Sequence, residues 1–166
     1  MTDARLHEPT LVDHEAFDVV GLSARTSAAR EADPLTAVVP RLWQRFFDEN
    51  VSRRVPDAVP GRVATAYVEY SGGGDRAYTV VLGPVARHGD GAPRGLARVH
   101  VPAGTYLEFP VDGMPPDAVT AAWSRVHDWF AATRSYRRAY RVDFELLRPG
   151  ATAIFISVFP GADHAE

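Results

Sequence analysis

The stretch Val142-Asp143-Phe144-Glu145-Leu146-Leu147 sets a carboxylate among apolar residues. An acid in such surroundings can move a proton or hold a cation. Read as a strand, it points Tyr140, Val142, Phe144 and Leu146 one way and Arg141, Asp143, Glu145 and Leu147 the other. The first face is core. If the second met water, Glu145 would be an ordinary surface charge. If both faces are covered, Glu145 looks into an enclosed hollow.

The aromatic residues bear on that choice. Trp43, Trp123, Trp129, Phe46, Phe47, Tyr67, Tyr78 and Tyr106 fall on both predicted helices and on several predicted strands. Each alone fits core packing. A buried tyrosine, however, needs a partner for its hydroxyl. Several tyrosines and tryptophans converging near one acid describe an aromatic-lined pocket for a flat or cationic molecule.

Other chemistries lack their residues. There is no cysteine, which removes disulfides, thiolate nucleophiles and cysteine zinc sites. His7, His14, His88, His100, His127 and His164 show no metal-ligand spacing and no His-Glu-x-x-His, so no metal and no cofactor are expected. No Gly-x-Ser-x-Gly occurs, and Ser124 and Ser135 lie in or beside a helix without an obvious base. Ser71-Gly72-Gly73-Gly74-Asp75 lacks the helix and the Gly-Lys-Ser/Thr of a phosphate loop and reads as a hairpin connection.

The 166 residues suit one domain, residues 1–166, with a core of its own. A net charge of −3 with no basic stripe gives no support for nucleic-acid binding. Arg134, Arg137, Arg138 and Arg141 read as a solvated helix end. No strongly charged face marks a protein partner. The N-terminus is polar and no apolar run reaches membrane-spanning length, so the expectation is a soluble, cytoplasmic protein with no membrane contact.

These residues must be positioned by helices and strands. Residues 1–8 read as a loose tail, Thr10 to Thr26 as a strand, and Ser27 to Asp33 as a link. A helix is predicted from Pro34, capped by Asp33, to about Asn50, with Pro40 kinking or restarting it. Its stripe is Leu35, Val38, Val39, Leu42, Trp43, Phe46 and Phe47. After a loop over 51–62 come strands at Val63–Tyr70, Tyr78–Val85, Leu96–Val101 and Thr105–Phe109. Pro115-Pro116-Asp117 opens a second helix with the stripe Val119, Ala122, Trp123, Val126, Trp129 and Phe130. Strands at Tyr140–Leu147 and Ala151–Phe159 follow. The order is β-α-β-β twice, in halves of about 10–86 and 95–160. This predicts an α+β fold, a duplicated module forming one antiparallel sheet with both helices on one face. The groove between the helices is the natural place for a ligand.

Val39-Pro40-Arg41-Leu42-Trp43-Gln44-Arg45-Phe46, Tyr78-Thr79-Val80-Val81-Leu82-Gly83, Val101-Pro102-Ala103-Gly104-Thr105-Tyr106 and Val142-Asp143-Phe144-Glu145 occur in that order. With Trp123 and Trp129, they resemble the GyrI-like small-molecule-binding family, also the effector-binding domain of some multidrug-sensing AraC- and MerR-type regulators. The resemblance spans roughly residues 12–158. It implies pseudo-twofold β-α-β-β modules around a central ligand cavity, with the acid matching Glu145 at the pocket floor and Tyr106 on its wall. Trp43, Phe47, Tyr67, Tyr78 and Trp123 complete the expected ligand-binding set. The chain has no room for a helix-turn-helix ahead of the domain, so a stand-alone member is expected. It departs from the family where Leu146 and Leu147 replace an aromatic after Asp-Phe-Glu. Binding of a hydrophobic, aromatic or cationic molecule for sensing or sequestration is the leading expectation. The alternative is a hydrolase of reactive xenobiotics, since some stand-alone relatives open cyclopropane rings, with Glu145 as the acid.

Overall fold

The computed structural model describes residues 8–72, 76–87, 89–113 and 117–161. The tail at 1–7, residues 73–75 of the expected hairpin connection, His88, Pro115 and Pro116 at the expected helix start, and residues 162–166 lie outside them.

Among the described residues the order is β1 (Thr10–His14), β2 (Phe17–Ser27), α1 (Ala28–Ala32), α2 (Val39–Asp48), α3 (Val51–Arg54), β3 (Ala58–Val68), β4 (Ala77–Ala86), β5 (Ala97–Val101), β6 (Gly104–Pro110), α4 (Asp117–Ala132), β7 (Tyr136–Arg138), β8 (Asp143–Leu147) and β9 (Ala153–Pro160). The strands pair in the order β1-β6-β9-β8-β3-β4-β2-β5, with β7 on β9, and every pairing is antiparallel. That order reads the same from both ends once the halves are exchanged. β3 and β8 form the central pair, β4 and β9 flank them, then β2 and β6. The strand leading each half, β1 or β5, pairs with the opposite half.

This connectivity forces the sheet to roll. β1 and β2 stand six strand steps apart, about 29 Å in a flat sheet at ~4.8 Å per step. Yet only Glu15 and Ala16 join them, and three Cα steps reach at most about 11 Å. The ends therefore curl together, and the same holds for β5 and β6. His14, closing β1, and Phe17, opening β2, both meet Phe144 of β8, with ring centroids 5.2 and 5.0 Å from it. Gly21 and Gly83 meet where β2 and β4 press together. A Cβ on Gly21 would lie 1.9 Å from Leu82 O, and one on Gly83 2.0 Å from Val20 O.

Both faces of the rolled sheet are covered. The inner face packs Val19, Ala64, Ala66, Val81, Val101, Tyr106, Phe144, Leu146 and Phe155 into one cluster. The outer face carries the helices. Leu42 and Phe46 of α2 sit on Leu22, Val80 and Leu82, while Ala122 and Val126 of α4 sit on Leu107, Phe109, Ile154 and Ile156. Each fully buried Leu, Ile or Phe adds roughly 1.5–3 kcal/mol against exposure. The sequence-predicted architecture is thus the observed one. Among the described residues no helix is long and apolar enough to cross a membrane.

Several boundaries differ, each for a local reason. The expected strand from Thr10 to Thr26 is two strands, because its halves join opposite ends of the sheet. The expected link holds α1, capped by the Ser27 hydroxyl, which accepts from Arg30 N. Asp33 closes that helix instead of opening the next one, and its carboxylate accepts from Leu35 N at 2.9 Å. α2 begins at Val39, with Pro40 in its first turn, where a missing N–H costs nothing. Its cap is supplied from outside: the Glu31 carboxylate accepts from Val38 N at 2.8 Å and Val39 N at 3.3 Å. The expected loop at 51–62 contains α3 and the start of β3, broken where the register shifts between Ala58 and Val63. β8 starts at Asp143, because Tyr140 adopts φ 51° and interrupts the extended run.

Candidate functional site

The pairing registers line up one row across six strands on the helix-covered face: Leu22, Leu82, Thr65, Glu145, Ile154 and Phe109. Five members are what a buried row requires or tolerates. The sixth is Glu145, in a residue 3% exposed.

Two donors meet its carboxylate. Tyr67 Oη, from β3, donates to Glu145 Oε1 at 2.5 Å. Trp123 Nε1, from α4, donates to the same oxygen at 2.5 Å. Thr65, directly across the strand pair, is wholly buried, and its hydroxyl lies near the carboxylate without a hydrogen bond of good geometry. Burial pushes the Glu145 carboxyl above the usual glutamate range. The Tyr67 and Trp123 donors, and more weakly the Thr65 hydroxyl, offset only part of that. Among the described residues no cationic side chain pairs with Glu145.

Aromatic rings surround this acid. The Tyr67 ring stands edge-on to Tyr78 at 5.6 Å and to Trp123 at 5.3 Å. Trp43 of α2, like Tyr78 and Trp123, packs against the cluster that holds Tyr67. Burial, then the neighbouring Glu145, raises the Tyr67 hydroxyl well above the ordinary tyrosine range. Tyr78 is pushed up to about 12 by burial and by the negative charges of Glu31 and Glu145, against the pull of Arg138. Both stay neutral donors at physiological pH.

A second carboxylate on the same strand has the opposite fate. Asp143 is fully buried and saturated: Oδ2 accepts from Tyr70 Oη at 2.6 Å and Arg138 Nη2 at 2.8 Å, and Oδ1 from Ser157 N at 2.8 Å and Ser157 Oγ at 3.0 Å. Arg138 lies 4.4 Å above the Tyr140 ring and 5.8 Å from the Trp123 ring. Asp143 is thus structural, and Glu145 is the carboxylate left without a counter-charge among the described residues.

Of the residues expected at the site, Glu145, Tyr67, Tyr78 and Trp123 come together, and Trp43 packs against the same outer-face cluster. Tyr106 and Phe47 do not join them. Tyr106 lies on the inner face, 5.2 Å from the Phe144 ring, and donates its hydroxyl to Pro102 O at 2.7 Å. Phe47 is 67% exposed and stacks on Trp43 at 5.9 Å. It lines an open groove of about 210 Å³ with Phe46, Asn50, Ser52 and Arg53, away from Glu145.

Sequence reasoning missed Thr65, Tyr70 and Arg138. Arg138 was read with a solvated arginine group, but its side chain is 14% exposed and ion-paired. The signal lay in Asp143, which shares the face of Glu145 in the alternating strand and needs a cation once that face is covered.

The model of the family described as Cass2, integron-associated effector binding protein, matches residues 10–158. The chain belongs to this family. No curated protein sequence matches it. Among solved structures, it is similar to an integron cassette protein from the mobile metagenome of Vibrio cholerae, with TM-score 0.77 and 27% identity over 92% of this chain and 96% of that one. It also has the fold of SAV2435, solved bound to tetraphenylphosphonium, with TM-score 0.67 and 19% identity over 92% and 94% of the two chains. A third neighbour, a proposed transcription regulation protein from Staphylococcus aureus MU50, has TM-score 0.62 and 18% identity over 92% and 98%. Family membership agrees with the GyrI-like resemblance read from the sequence.

Proposed function

We propose that the protein binds a hydrophobic small molecule carrying positive charge, between α2 and α4 and against Glu145, for sensing or sequestration. One observation carries this reading: a buried carboxylate with no cationic partner among the described residues, at the centre of the helix-covered face, touched by Tyr67 and Trp123, with Tyr78 against Tyr67 and Trp43 on the same outer-face cluster. An uncompensated buried charge destabilises the empty protein, and a cation entering the site relieves that cost. Aromatic rings favour a flat or delocalised cation through their faces. Membership of an effector-binding family supports small-molecule binding, and a protein of the same fold accepts the lipophilic aromatic cation tetraphenylphosphonium.

Titrating tetraphenylphosphonium into isotope-labelled protein tests the location. The expected shifts fall on Glu145, Thr65, Tyr67, Tyr78 and Trp123. Shifts confined to the Phe47–Arg53 groove, or none at all, contradict the assignment.

The raised carboxyl beside a neutral tyrosine hydroxyl also suits proton transfer, which favours the hydrolytic reading of the same residues. Mass spectrometry of cyclopropane-bearing compounds incubated with the protein separates the two. A product gained with water, lost in Glu145→Gln, would establish catalysis, and unchanged compound rules out the hydrolytic reading.

A further inference from the structure

Trp123 reaches from α4 onto Glu145. Its indole N–H already donates to Glu145 Oε1, the acid assigned above to cation recognition. The residue is half-buried while Glu145 is 3% exposed, so the indole covers the carboxylate from the α4 side. It also packs against both outer-face clusters, the one under α2 and the one under α4. α4 itself buries only Ala122 and Val126, two small side chains, beside Trp123. The remaining ring neighbours are edge-on: Tyr67 at 5.3 Å and His127 at 6.0 Å.

We propose that Trp123 is the selectivity element of the site: its indole occupies Glu145 in the empty protein, so bulky aromatic cations displace it and small onium ions do not. This rests on the reading of Glu145 as the ligand-recognition group. Displacing the indole breaks its hydrogen bond to Glu145 Oε1 and uncovers apolar surface on Tyr67. A tetraphenylphosphonium ion returns both charge and aromatic area. Tetramethylammonium returns the charge alone, and the exchange is then unfavourable. When the indole leaves, Tyr67 remains on Oε1, and the buried Thr65 hydroxyl, which makes no hydrogen bond of good geometry, lies beside the freed oxygens. The site therefore selects ligands by what they put back, not by charge alone. The binding-competent state is a minority of the empty population, and measured affinity is lowered by that fraction.

The test is calorimetric titration of tetraphenylphosphonium and tetramethylammonium into wild type, Trp123→Phe, Trp123→Ala and Glu145→Gln at pH 8.5. Trp123→Phe keeps the ring and removes the N–H. It is expected to bind tetraphenylphosphonium roughly tenfold more tightly than wild type, the scale of one charge-assisted hydrogen bond no longer broken. In Trp123→Ala the preference for tetraphenylphosphonium over tetramethylammonium is expected to fall by at least roughly tenfold. Unchanged or weaker tetraphenylphosphonium binding in Trp123→Phe overturns the proposal, because a tryptophan that served only as a stacking wall would give that result. A preserved preference in Trp123→Ala overturns it equally. The two readings fail separately. Binding that ignores Glu145→Gln removes the site itself, whereas Glu145-dependent binding that ignores Trp123→Phe removes only the role of Trp123.

Discussion

Glu145 and Thr65 face each other across the β3–β8 pair, at the centre of the sheet and related by its pseudo-twofold order. Only one of the two is hydrogen-bonded. Glu145 takes donors from Tyr67 and Trp123, while the Thr65 hydroxyl, equally buried, takes none of good geometry. The symmetric strand order sets the two central strands side by side, and one of the facing positions carries a charge, the other a small neutral hydroxyl. A charge at both positions would put two carboxylates in one dry site, where like charges oppose ionisation.

Thr65→Val should be tolerated. It removes a buried hydroxyl that has no good partner and keeps the shape, so the expected change in unfolding free energy is within about 1 kcal/mol, of either sign. Chemical denaturation measures it. A loss well beyond that would mean that Thr65 makes a strong bond to Glu145 after all.

Glu145 should make stability and binding depend on pH in opposite ways. Its folded carboxyl lies above its ordinary value of 4.5, so the folded state holds that proton more tightly than the unfolded chain does. Its contribution is favourable at low pH and is lost as pH rises through the raised folded value. Glu145→Gln should therefore melt above wild type at pH 7–8, with the advantage vanishing as pH falls towards 4.5. Cation affinity should do the reverse in wild type, weakening as acid protonates Glu145, and should be flat in the variant. Parallel melting curves for the two proteins across this range would contradict the burial argument.

Tyr106→Phe should leave ligand binding unchanged. Its hydroxyl serves Pro102 O on the inner face, and removing that bond costs roughly 1 kcal/mol of stability. Trp43→Ala should weaken an aromatic ligand and lower stability by a few kcal/mol, at or below the low end of the range of about 3–5 for a fully packed aromatic because Trp43 is only half-buried. Thermal shift and titration on the same samples read both. Weakened binding in Tyr106→Phe would return that residue to the site.

Arg138→Met should be among the most damaging substitutions near the site. It strands the fully buried Asp143 charge, a loss of roughly 3–5 kcal/mol. Adding Asp143→Asn to Arg138→Met should recover part of the loss, because the stranded charge is gone. Denaturation midpoints of the single and double variants check this, and a double variant no more stable than the single would refute it.

What the sequence made legible follows from periodicity. The alternation around Glu145, the helical stripes of α2 and α4 and the doubled element order give the sheet, its faces and the acid at its centre. Terminal residues of elements were less legible, because they depend on partners far away in the chain. α2 begins at Val39 because Glu31 caps it from α1, and no local pattern states that. Tyr106 was expected on the pocket wall by resemblance. Its register with Ser157 and its contact with Phe144 set it on the inner face, a distinction that one residue of register decides. Arg138 could not be separated from its surface neighbours without knowing that β7 folds back onto β9 beside Asp143.

The central claim is that the buried charge of Glu145 recognises a cation. Calorimetric titration of tetraphenylphosphonium, and of the neutral triphenylphosphine oxide, into wild type and Glu145→Gln at pH 8 tests it most directly. Wild type should prefer the cation, and Glu145→Gln should lose roughly 1–3 kcal/mol of cation affinity, about 5- to 150-fold, while the neutral compound binds both proteins alike. Equal cation affinity in the two proteins, or an equal loss for both compounds, would contradict the account.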